Sequence, residues 1–151
     1  MKLDDVVYVH LITLTEPKER MKNNTTLTVL SLIAVICFAL HWTDEITRGM
    51  ETAKIANLPG VFILIVWLFG TIVLRERVLG YVIMLVGGIL GFGVLLLHMT
   101  GGGLTRGRIA NTPGVFFWVL TALTLGVTSF IAAVLAANAL WSRWRKRPAK
   151  V

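Results

Sequence analysis

A chain of 151 residues that is 56% hydrophobic and only 15% charged, with a mean hydropathy of +0.76, is too apolar for a water-soluble domain of its size. Its formal net charge of +7 would suit nucleic acid in a soluble protein. Here the basic residues flank apolar blocks, the pattern that orients a membrane protein, so no nucleic-acid partner is expected.

Residues 1–25 read as a cytoplasmic N-terminal arm, with β-forming residues concentrated over 6–15. Met21-Lys22-Asn23-Asn24 before an apolar run resembles the start of a signal peptide. Cleavage is not expected, because it would remove the first helix of a repeated unit. Four blocks free of Asp, Glu, Lys and Arg follow, at 27–42, 61–74, 78–97 and 115–141. A spanning helix needs roughly 20 such residues. The third and fourth blocks qualify outright, whereas the first two must borrow flanking residues, Leu58 to Gly60 in the second case. The expected fold is an all-α integral membrane protein of four transmembrane helices. Cys37, the single cysteine, lies in the first block and reads as a small buried hydrophobe.

The blocks fall into two tandem units, 26–75 and 76–141, followed by a basic cytoplasmic tail over 142–151. The loop of each unit carries almost the same residues. His41-Trp42-Thr43 leads through Thr47-Arg48-Gly49 to Ile55-Ala56-Asn57-Leu58-Pro59-Gly60-Val61-Phe62. His98-Met99-Thr100 leads through Thr105-Arg106-Gly107 to Ile109-Ala110-Asn111-Thr112-Pro113-Gly114-Val115-Phe116. Such a match points to duplication. Parallel hairpin repeats predict a pseudo-two-fold axis along the membrane normal. Eleven Lys and Arg residues lie in the two tails and the Arg75-Glu76-Arg77 turn, against Arg48, Lys54, Arg106 and Arg108 in the repeated loops. Both termini are therefore expected in the cytoplasm and both loops outside, in a membrane such as the bacterial inner membrane. Trp141 and Trp144 read as an interfacial anchor.

Within the membrane, Gly87-x-x-x-Gly91 and the run Ala132, Ala133, Ala136 and Ala137 predict close helix packing, within the chain in preference to a homo-oligomer seam. Asn138 reads as interhelical glue.

The loops agree between the units better than the helices do, although loops tolerate change best. A shared physical demand therefore acts on them. Asn57 and Asn111 fit as N-caps, with Pro59 and Pro113 in the first helical turn. Capping leaves His41, Arg48, His98 and Arg106 unexplained. Arg48, Arg106, Arg108 and Lys54, with Asn57 and Asn111, lie beside two helix N-termini and suit an anionic group, a lipid headgroup or a partner membrane subunit. This noncatalytic binding surface is the leading expectation. His41 and His98, facing across the axis, would alternatively suit bis-histidine ligation of a haem b in an electron-transfer module. With one of Asp44, Glu45 and Glu51 they would suit a metal ion. A third expectation is an accessory subunit whose helices fill a larger membrane complex. No G-x-S-x-G, H-E-x-x-H, P-loop or C-x-x-C pattern occurs, which weighs against an enzyme. The apolar blocks also lack the carboxylate of a proton-coupled pump.

Overall fold

The computed structural model describes residues 3–51, 54–100 and 113–145, with side chains from residue 21 onward, Ala56 aside. The elements are α1 (Leu3–Thr47), a 3-10 turn (Ile55–Asn57), α2 (Leu58–Ile72), α3 (Val78–Thr100) and α4 (Val115–Arg145). There is no strand among the described residues.

The segment rich in β-formers is helical within α1, which carries Pro17 in its interior and no glycine before Gly49. Gly49 ends the helix in the left-handed region, with φ of 70°. Its N–H donates to Ile46 O, and the Met50 N–H donates to Glu45 O, a glycine-dependent closure of the last carbonyls. Before α2, Asn57 holds the N-cap position and Pro59 lies in the first turn, as expected, but the Asn57 side chain does not cap. Its Oδ1 accepts the Lys54 N–H at 3.3 Å, and its Nδ2 donates to Glu51 Oε1 at 3.2 Å. Asn57 thus ties the loop to itself.

Three helical segments are long and apolar enough to cross a membrane: Met21–Thr47, Val78–Thr100 and Val115–Arg145. The helix α2 does borrow Leu58 to Gly60, yet it has only 15 residues. At about 1.5 Å per residue it is roughly 22 Å long, below the roughly 30 Å of a hydrocarbon core. Large apolar side chains such as Ile36, Phe62, Phe69, Ile89, Leu123 and Phe130 are exposed, which is compatible with a membrane surround.

The helices form a ring in chain order. The closest pair is α3 with α4, followed by α1 with α4, while α2 leans more lightly on α1 and α3. Small residues make the close approaches. A methyl group at Gly88 or Gly91 would collide with Ser129, and one at Gly87 with the Trp67 indole. The glycine pattern is therefore used inside the chain. Ala132 and Ala136 are fully buried with Leu27, Tyr81 and Met84, whereas Ala137 and Asn138 are exposed, so Asn138 does not bridge helices here. Half-buried Cys37 packs on a core of Ala34, Val35, Trp67 and Leu125.

At the end bearing the 73–77 turn, Arg143 donates to Glu76 O at 2.7 Å and lies over the Tyr81 ring. Tyr81 in turn donates to Asn24 Oδ1 at 2.8 Å. The helix ends are thereby locked before the chain reaches the opposite, loop-bearing end.

Candidate metal centre

Sequence reasoning put His41 at the end of its helix and the acids after it in a loop. Instead α1 runs on to Thr47. The last turns are held by Thr43 donating to Ala39 O and by Arg48 Nε donating to Asp44 Oδ2 at 2.7 Å. Helical pairs four residues apart lie on one face, so the extension stacks Glu45 directly above His41.

His98, in the last turn of α3, completes the group. His41 Nε2 lies 3.1 Å from His98 Nε2, and His98 Nε2 lies 3.1 Å from Glu45 Oε1. His41 Nε2 and Glu45 Oε1 are 3.7 Å apart. The two imidazoles meet edge to face, with ring centroids 5.0 Å apart. Trp118 of α4, wholly buried, packs on both rings at 5.2 and 4.9 Å. His41 is 2% exposed, while the side chains of Glu45 and His98 are 18% and 23% exposed. The cluster is walled by the bundle on the His41 side and open at its Glu45 and His98 rim.

The proton positions follow from Thr121. Its hydroxyl has one proton, and that proton faces the carbonyls of Phe117 and Trp118 at 2.9 and 3.0 Å, the usual back-bonding of a helical threonine. Towards His41 Nδ1, 3.1 Å away, Thr121 Oγ1 can then only accept. In that arrangement His41 carries its proton on Nδ1 and presents a bare lone pair at Nε2. With both imidazoles neutral and His41 in that tautomer, the proton between the two histidines is the one on His98 Nε2. It faces two acceptors, His41 Nε2 and Glu45 Oε1.

One more donor adjoins the group. The Trp118 indole N–H is buried without a full hydrogen bond, beside the Glu45 carboxylate. An indole only donates, so it adds an unspent donor next to a carboxylate.

The other expected site residues are not gathered here. Arg48 is engaged by Asp44 and reaches the place a side chain at Gly114 would occupy, where the backbone has φ of 83°. Lys54 and Asn57 line a separate groove of about 340 Å³ between α1 and α2, with Trp42, Leu58, Val61 and Leu64. Arg106, Arg108 and Asn111 lie outside the described residues. Sequence reasoning named Glu45 as one of three candidate acids but missed Thr121 and Trp118. The available signal was a hydroxyl and an indole three residues apart in an apolar helix, one turn apart on one face.

Comparison with known protein families, curated proteins and solved structures gave no significant match.

Proposed function

We propose that this chain is a four-span membrane protein that binds a divalent transition-metal ion, of the zinc type, through His41, Glu45 and His98 at the loop-bearing end of the bundle. The observation that carries this reading is the triangle of Nε2, Nε2 and Oε1 atoms, with sides of 3.1, 3.1 and 3.7 Å. Ligands about 2.0–2.1 Å from a tetrahedral centre are about 3.3 Å from one another. An ion about 2.05 Å from all three atoms would stand about 0.7 Å above their plane, the height of a tetrahedral centre over one of its faces. Imidazole and carboxylate together suit zinc and its first-row neighbours. The bond from His41 Nδ1 to Thr121 is the kind of outer contact that fixes a ligand's tautomer.

Two other readings have less support. Axial ligation of a haem iron places its nitrogens on opposite sides of the metal, about 4 Å apart with a macrocycle between them. Here the nitrogens are 3.1 Å apart and the rings touch. An anion site at Arg48 would have to compete with Asp44.

The proposed arrangement has α2 crossing a locally thinned bilayer. Both termini lie in the cytoplasm by the distribution of basic residues, and the two sequence-matched histidines meet near a pseudo-two-fold axis. Cysteine-accessibility labelling at single sites at 49–51 and in the 73–77 turn, on either side of α2, tests the four-span topology. Labelling of both from the same side overturns it.

For the metal, the full chain is purified in detergent with its tag removed, stripped with chelator and titrated with Zn²⁺. The expected result is one high-affinity equivalent, lost in His41→Ala and in His98→Ala. An identical titration in the wild type and both variants removes the proposal. A Soret band in the untreated protein would replace it with the haem reading.

A further inference from the structure

Within these 151 residues, three side chains converge on the proposed metal position, and the other histidine, cysteine and acidic residues lie elsewhere or are engaged. Besides the three proposed ligands, the sequence holds two histidine or cysteine residues, His10 and Cys37. His10 and the four acids before residue 20 belong to the first part of α1. Glu19, the nearest of them, is 22 residues before His41, about 33 Å along the helix axis. Glu76 lies in the turn at the opposite end of the bundle. Cys37 packs into the core of Ala34, Val35, Trp67 and Leu125, and among the described residues it does not join the donor group. Near the site remain Asp44, bound to Arg48, and Glu51, bound to Asn57. The segments 52–53 and 101–112 contain no His, Cys, Asp or Glu at all.

Structural zinc sites close with four protein ligands, whereas sites that keep three leave the fourth position to water or a substrate. Here three side chains would occupy one face of the tetrahedron, and two of them, Glu45 and His98, are partly exposed. Resting on the metal reading above, we propose that the ion keeps an open fourth coordination position, filled by water and exchangeable for a small monodentate anion. The exchange is a ligand substitution. A metal–oxygen bond to water breaks, a bond to the anion's lone pair forms, and no electron changes hands. The centre is therefore built to present its metal to something from outside the chain.

Co²⁺ loaded into the stripped full-length protein reports the coordination shell through its visible d–d absorption, and azide is the probe. The expected result is a cobalt spectrum absent from the His41→Ala/His98→Ala double variant, which shifts saturably as azide is added. Bands present in the wild type but unmoved by azide overturn the open position while leaving the metal reading standing. No wild-type bands overturn both. X-ray absorption on the zinc form gives an independent count. Two imidazoles and two oxygen donors, one of them replaced by azide nitrogen, agree with the proposal, and a fourth protein ligand contradicts it.

Discussion

Two buried polar clusters lie in this bundle, built from similar parts and finished differently. Deep in the bundle, the Trp67 indole donates to Ser31 Oγ at 3.0 Å, and Ser31 lies 2.8 Å from Thr71 Oγ1. The Thr71 hydroxyl is spent on Trp67 O at 2.8 Å, so Ser31 must donate to Thr71. Every proton has an acceptor and the chain of bonds ends where it began, in α2. At the loop-bearing end, Trp118 and Thr121 hold comparable positions around His41, but the sums do not close. One imidazole lone pair, one carboxylate and one indole N–H remain in partial contact. A satisfied buried network rigidifies its surroundings. In the second cluster His41 Nε2, His98 Nε2 and Glu45 Oε1 converge within 3.7 Å, the three atoms proposed above to hold a metal ion.

Substitutions can break this contrast. The largest effect is expected from His98→Ala or His41→Ala, which abolish metal binding in a calorimetric titration while the helical circular dichroism is kept. Next is Thr121→Val, which keeps the shape and removes the acceptor. It frees His41 to take the other tautomer, and metal affinity falls by about 10–100-fold. Thr121→Ser restores it, and long-range ¹⁵N–¹H spectra of the imidazole follow the tautomer directly. An unchanged affinity and unchanged Nδ1 proton in Thr121→Val would remove the threonine from the site.

The closed cluster should respond in the opposite sense. Gly87→Ala drives a methyl group into the Trp67 indole and is expected to cost about 1–3 kcal/mol of stability, with metal affinity unmoved. Ser31→Ala leaves the Trp67 N–H without its acceptor and is expected to cost about 1 kcal/mol in detergent unfolding. If either change weakens metal binding as much as Thr121→Val, the two clusters are one coupled network and the contrast fails. The smallest effect is expected from Trp118→Phe, a loss of metal affinity below that of Thr121→Val, read by the same titration.

Much of the fold is legible in the sequence. The apolar blocks locate the helices, because a membrane segment must be continuous and uncharged. The matched His41 and His98 pointed to a meeting of α1 and α3. Glu45 was harder, since a carboxylate after an apolar block reads as loop until the helix is seen to continue, and Asp44 and Glu51 looked equivalent. It is the helical register that turns Glu45 to His41 and Asp44 to Arg48. Thr121 was hidden among Thr121, Thr124 and Thr128 in one block. Only the rotation of α4 against α1, where Ala132 and Ala136 share a core with Leu27, chooses which hydroxyl meets the imidazole.

The 3.1 Å approach of His41 to His98 also sets a stoichiometry. Had each sequence-matched histidine stayed within its own helical pair, the chain would carry two half-sites and would need a second copy to complete either. Because the two Nε2 atoms face each other inside one bundle, a single chain holds all three proposed protein ligands. Saturation should therefore stand at one ion per polypeptide, whatever the number of chains that associate.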